Sequence, residues 1–159
     1  MRSYTLSKKD GNHVVDAVQS RWPNKPRFKA KGIRIVEVDE ERALLIGEEF
    51  TAVKLGEDIL PFLKMEELLE TFGKIVVDKG AIRYVCNGAN VMRPGVVQCE
   101  GRFESGDMVA VKEEQHGKLI AVGLALVDSS EIQNMGKGVV VKNMHYIGDK
   151  FWEAHKNIG

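Results

Sequence analysis

Residues 77–97, VDKGAIRYVCNGANVMRPGVV, fix the backbone of this chain more closely than any other stretch. Asp78 stands where a helix N-cap belongs, because its carboxylate accepts from a free N–H of the first turn. Ile82, Val85 and Cys86 follow at i, i+3 and i+4, one apolar stripe over two turns. Gly88 comes just after the last apolar residue, the position at which a helix ends in the left-handed region. Met92, Arg93, Pro94 and Gly95 then spell a turn, with φ fixed at Pro94 and Gly95 free to take φ > 0. Gly80-Ala81 and Gly88-Ala89 leave little side chain above the backbone, so a second surface can approach closely.

The residues before this stretch predict a helix and a meander. Residues 4–6 read as a short strand. Val14, Val18 and Trp22 repeat at helical spacing, and Pro23 closes a helix over residues 9–22. Residues 33–38, 43–46 and 50–55 are β-rich and separated by charged or glycine turns, the rhythm of an antiparallel meander. Residues 59–63 contain Pro61 and read as an extended connection. Met65, Leu68, Leu69 and Phe72 mark an amphipathic helix stopped by Gly73. Its Glu66, Glu67 and Glu70 read as a solvated face rather than a catalytic carboxylate set.

The pattern changes at residues 73 and 74, which predicts two domains, 1–73 and 74–153. Residues 74–78 and 96–99 read as strands, and residues 109–111 alternate before a hairpin turn at Gln115-His116-Gly117. Residues 119–127 are apolar at every position except Gly123, as in a strand buried on both faces. Residues 128–135 are polar enough for a helical turn, residues 138–141 are the last long strand, and residues 143–148 are a connection. Phe151 and Trp152 close the core. Many short strands with few helices predict a small barrel. The expected class is α+β: a small N-terminal α/β domain with an antiparallel sheet, then a β pseudo-barrel.

Composition narrows the function. The chain has 159 residues, 43% hydrophobic and 29% charged, as in an ordinary globular protein. No run of about 18 apolar residues occurs, and no charged segment with an apolar core opens the chain. With two cysteines, Cys86 and Cys99, and no disulfide framework, the expectation is a reduced, cytoplasmic protein without a membrane partner. The net charge is zero but uneven: residues 1–34 carry +7, residues 35–73 carry −8 and residues 74–159 carry +1. Arg21, Lys25, Arg27, Lys29, Lys31 and Arg34 occur with no acidic residue between them, and Trp22 and Phe28 lie among them. Basic residues interleaved with aromatics suit phosphate contact and base stacking; the competing readings are core aromatics and charges neutralised by the acidic segment.

Chemistry-bearing motifs are missing. His13, His116, His145 and His155 have no metal-ligand spacing with each other or with the cysteines. There is no phosphate-binding glycine loop and no nucleophile elbow. Cys86 lies on an apolar stripe and reads as a packed thiol. No catalytic residues, metal site or cofactor are expected.

Residues 77–97 together with FESGDMVAVKE, GKLIAVGLALVDSSEI and KGVVVKNMHYIGDKFWE resemble the PUA domain along its whole length. NMHYIGDKFW is similar to the malignant-T-cell-amplified-sequence family of translation factors and its archaeal relatives, in which a small N-terminal domain precedes the PUA domain. The resemblance implies a pseudo-barrel that binds structured RNA, such as tRNA or rRNA on a ribosomal subunit. It points to Gly80, Ala81, Arg83, Gly88, Ala89, Met92, Arg93, Pro94 and Gly95, with Lys137, Gly138 and Lys142 from the last strand. A net charge of +1 over residues 74–159 is low for a lone RNA binder, so the basic residues 21–34 are the expected auxiliary surface. The rival expectations are a protein adaptor in translation that uses its acidic segment, and an RNA-binding subunit serving a modification enzyme in trans.

Overall fold

A computed structural model describes residues 2–158. The first sheet is antiparallel and in sequence order: β1 (Ser3–Thr5), β2 (Arg34–Glu37), β3 (Arg42–Ile46), β4 (Thr51–Leu55) and β5 (Asp58–Pro61). Between β1 and β2 lies α1 (Lys8–Arg21), capped by Ser7, whose side chain accepts from Asp10 N. Val14 and Val18 of α1, with Trp22 just after it, are buried as their spacing predicts. β3 is buried at Ala43, Leu44 and Leu45, so both faces of its centre are covered. The expected connection over residues 59–63 is instead the edge strand β5. Pro61 sits at its end, opposite Ala52, where the sheet has no further strand to miss its N–H.

The helix expected over residues 65–72 is a single turn, α2 (Glu66–Leu69), followed by tight turns. After Leu69 the chain tightens, with Thr71 N and Phe72 N donating three residues back to Leu68 O and Leu69 O, and the buried Lys74 ammonium takes the carbonyls of Glu70 and Phe72 at 2.6 and 3.1 Å. Gly73 does not adopt the left-handed conformation of a helix stop. A Cβ there would lie 2.9 Å from Phe103 Cδ2, so the glycine permits close approach.

The second sheet is mixed and curled. It contains β6 (Lys74–Val77), then α3 (Lys79–Val85), β7 (Val91–Met92), β8 (Val96–Glu100), β9 (Met108–Glu113), β10 (Leu119–Ala125) and β11 (Val139–Tyr146). Its strand order is β7-β11-β10-β9-β6-β8, with β6 and β9 parallel. Only the 3₁₀ turn Arg93–Gly95 separates β7 from β8, yet these strands form the two edges. The sheet therefore curls into a pseudo-barrel whose seam the turn closes, as the expected class requires. β10 is the buried central strand foreseen. At Gly123, where the pairing register slips, a Cβ would lie 2.1 Å from the Lys142 carbonyl oxygen.

β11 runs on to Tyr146, through residues expected to form a connection. A last helix, α4 (Lys150–Lys156), follows and is capped by Asp149. Phe151 is buried, while Trp152 is half-buried and stacks on Phe62. Leu44 and Phe62 from the first half of the chain share one buried cluster with Met144 and Phe151 from the second.

Candidate nucleic-acid interface

Helix α3 begins as its sequence dictates, with Ala81 N donating to Asp78 Oδ1 at 3.0 Å. Val85 is buried and Ile82 and Cys86 are half-buried, which makes the apolar stripe the inner face. Gly88 has φ +95°, and a Cβ would lie 3.0 Å from Tyr146 Oη, so it ends the helix against β11. Asn143 of β11 holds the following loop, with Nδ2 donating to Val85 O and Ala89 O at 3.0 and 2.9 Å.

The outer face of α3 carries Arg83 and Tyr84, both exposed; Tyr84 is 55% accessible. Arg83 lies 4.9 Å from the Tyr84 ring centre and donates to its hydroxyl at 2.9 Å. A groove of about 460 Å³ separates α3 from the turn after β7, lined by Gly80, Ala81, Tyr84, Ala89, Met92, Pro94 and Gly95 among others. Met92 stands in it 47% exposed. Gly95 does not use positive φ. Its hydrogen admits Ala81, since a Cβ would meet that of Ala81 at 3.2 Å. Helix and turn thus approach at Ala81 and Gly95, where the glycine serves packing and not the backbone freedom expected of it.

The structure sorts the expected residues. Gly80, Ala81, Ala89, Met92, Pro94 and Gly95 come together, with Arg83 beside Tyr84 on the rim. Arg93 is turned inward and half-buried, donating from Nε to Ile132 O at 2.7 Å and from Nη1 to Val96 O at 3.3 Å. Gly138 does not line the groove; its carbonyl accepts from Arg93 N at 2.8 Å. Lys137 and Lys142 are exposed but do not line it. Tyr84 was missed by sequence reasoning. The signal was present: it is the one aromatic of the helix and lies off the stripe Ile82–Val85–Cys86.

The auxiliary basic stretch divides differently. Trp22 is buried and donates from Nε1 to Ile59 O at 2.8 Å, and Phe28 stacks on Phe50 at 4.8 Å, so both belong to the core rather than to a stacking surface. Arg21, Lys25, Arg27, Lys29, Lys31 and Arg34 are all exposed, and among the described residues none forms an ion pair. The acidic segment pairs elsewhere: Glu37 with Arg2, Asp39 with Arg42 and Lys150, and Glu70 with Lys74. Among the described residues, 21–34 form no ion pair with the acidic segment, although Lys29 N donates to Glu49 Oε1 at 3.3 Å, and the basic stretch keeps its field.

Burial pushes the thiols of Cys86 and Cys99 up, away from a reactive thiolate. No three metal-ligating side chains meet among the described residues, and no helix there is long and apolar enough to cross a membrane.

The family model for the PUA domain matches residues 73–147. An uncharacterised protein of Methanocaldococcus jannaschii is 35% identical over 156 residues, 95% of each chain. Malignant T-cell-amplified sequence 1 of Danio rerio is 30% identical over 82% of this chain and 76% of its own. Translation machinery-associated protein 20 of Saccharomyces cerevisiae is 29% identical over 87% and 78%. Among solved structures, a PUA-domain protein from Aeropyrum pernix superposes with a TM-score of 0.74 at 25% identity, covering 98% of this chain and 91% of that one.

Proposed function

Because this chain belongs to the family of PUA-domain proteins that includes malignant T-cell-amplified sequence 1, we propose that it is a non-catalytic RNA-binding protein of the cytoplasmic translation machinery. Its partner in this reading is structured RNA, tRNA or rRNA on the small ribosomal subunit. One observation carries it: the groove between α3 and the Arg93–Gly95 turn leaves an aromatic ring and a thioether bare beside a guanidinium. Tyr84 and Met92 offer a stacking surface for an unpaired base, Arg83 offers charge to phosphate, and Gly80 and Ala81 admit the sugar-phosphate backbone. The unpaired cations of residues 21–34 add a second, sequence-independent contact. In the same reading residues 1–73 form the N-terminal domain and residues 74–153 the PUA domain. The involvement in translation rests on the relatives.

The test is a titration of fluorescent tRNA and small-subunit rRNA fragments over a range of salt. The logarithm of the affinity is expected to fall linearly with the logarithm of salt. Reversing Lys29 and Lys31 to Glu lowers that slope by roughly one for each phosphate no longer neutralised. No affinity for either RNA at low salt would sink the proposal.

A further inference from the structure

Strand β11 carries one residue more than its neighbour β10. Gly123 stands opposite Asn143 and Val122 opposite His145, so Met144 has no counterpart across the pair. Side chains alternate along a regular strand, and an extra residue turns two neighbours to one face. Met144 is buried in one cluster with Phe62, and His145 Nε2 accepts from Leu63 N at 3.1 Å, so both face the first half of the chain. Asn143 and Tyr146, on either side of them, face the other way, towards α3.

Both reach the segment that follows α3. Asn143 Nδ2 donates to Val85 O and Ala89 O at 3.0 and 2.9 Å. Its main-chain N–H donates to Asn90 Oδ1 at 3.0 Å, just past the last β7 pair, Val91 with Val141. The Tyr146 ring lies against Gly88, where a Cβ would meet Oη at 3.0 Å and Cζ at 3.3 Å. Val85, Ala89 and Asn90, which Asn143 holds, all line the groove.

This hold leaves one polar atom bare. Both carbonyls are acceptors, so the amino end of Asn143 must face them, and Oδ1 is buried with no partner among the described residues. Buried polar atoms are ordinarily paired, and exceptions gather where function sets the geometry. One amino group tied to both carbonyls fixes the helix end against the residue four positions on.

We propose that Asn143 and Tyr146 are positioning residues of the groove. They fix the wall that carries Ala89 and Asn90 at the spacing RNA requires, and the extra residue Met144 is what turns both of them to it. The inference rests on the RNA reading of the groove. Neither residue lines the groove, so each acts through the wall.

The test uses the full chain, labelled with nitrogen-15, and fluorescent tRNA. The Gly88 and Ala89 amides donate to Val85 O and Tyr84 O and report on the wall before any RNA is added. Asn143→Ala removes the Nδ2 donors and is expected to speed exchange of both amides by roughly tenfold or more. It is also expected to weaken tRNA binding by roughly tenfold. No cation is lost, so the slope of affinity against salt is expected to stay the same. Tyr146→Phe keeps the ring against Gly88 and is expected to bind as the wild type does. Val53→Ala, in the buried centre of the first sheet, is expected to lower the thermal midpoint and leave the affinity unchanged, as a merely structural loss does. If Asn143→Ala does not fold, Tyr146→Ala is read in the same way. The inference is overturned if exchange at both amides is unaltered, if exchange speeds while tRNA affinity holds, or if Val53→Ala weakens tRNA equally. A wild type without affinity for RNA overturns the RNA reading and the inference together, a result distinct from these three, in which the wild type binds.

Discussion

His145 and Leu63, 82 residues apart in the chain, are joined by one buried hydrogen bond, from Leu63 N–H to His145 Nε2 at 3.1 Å. The other ring nitrogen, Nδ1, carries the proton and donates to Asp149 Oδ2 at 2.7 Å. Asp149 also caps α4 through Trp152 N, and Phe62 stacks on the imidazole at 5.2 Å. One side chain thus fastens the link after the first sheet to the last strand of the second and to the final helix. His145→Ala is expected to cost about 3 kcal/mol, because it leaves a cavity and orphans a buried N–H and a carboxylate. Urea unfolding checks this; a loss under about 1 kcal/mol would mean the link is held elsewhere.

Gly123 tests the curl of the barrel. Any side chain there meets the Lys142 carbonyl oxygen at 2.1 Å and Val141 Cγ1 at 2.8 Å, both in the neighbouring strand. Gly123→Ala is expected to destabilise the fold by about 2 kcal/mol or more. The thermal midpoint reads the effect, and an unchanged midpoint would show that β11 can move away.

Two arginines beside the groove, Arg83 on its rim and Arg93 turned inward, separate binding from folding. Arg83→Glu is expected to weaken RNA binding without altering stability, since the side chain is exposed and its hydrogen bond runs to its exposed neighbour Tyr84. Arg93→Gln disturbs donors to two carbonyls and is expected to lower stability by about 1–2 kcal/mol before any RNA is added. Denaturant midpoints beside RNA titrations distinguish them; equal stability losses in both would contradict this assignment.

Tyr84→Ala is expected to reduce RNA affinity by about 1–3 kcal/mol, the worth of one stacked base, with the fold intact. Tyr84→Phe keeps the ring and most of the affinity. If Phe proves as poor as Ala, the hydroxyl acts and not the stacking face.

Acid weakens the fold in a window set by His155, which stacks on Phe62 at 4.4 Å. Burial, and then the nearby Lys64 ammonium, hold its imidazole below the ordinary value of 6.5. The unfolded chain therefore binds more protons, so stability is full above about pH 6.5 and falls as the pH drops beneath it. Glu113 adds a separate loss only at lower pH. The His116 N–H, and after it the Lys118 N–H, hold its carboxylate below the ordinary 4.5 against the opposing effect of burial. His155→Phe should flatten the upper window in urea midpoints measured against pH. An unaltered slope would assign the loss to another group.

What was legible in the sequence depended on near neighbours. The Asp78 cap, the Gly88 stop, the stripe of α3 and the two-sided burial of β10 follow from residues a few positions apart. What was not legible depended on a distant element. Pro61 reads as a strand breaker until β5 is seen to be an edge. The helix over residues 65–72 reads as two turns, whereas the chain tightens to three-residue turns after Leu69 on its way to the buried Lys74. Trp22 and Phe28 read as core, with a stacking platform as the rival, until Ile59 of β5 is seen to take the indole N–H and Phe50 to stack on the Phe28 ring. Gly73 reads as a helix stop and Gly95 as a turn glycine free to take φ > 0, whereas each makes room for another residue, Phe103 and Ala81. The PUA motifs located the groove, but only the third dimension showed that Tyr84 faces out and Arg93 faces in.

The three-residue turn that closes the seam has a thermodynamic consequence. One wall of the groove is α3, and the other is the turn joining the sheet's two edges. A sheet opened at its seam keeps its strands and its helix but has no groove. Whatever binds there is therefore a ligand of the closed form alone. By mass action it raises the free energy of opening, in proportion to the logarithm of its concentration once the site is saturated.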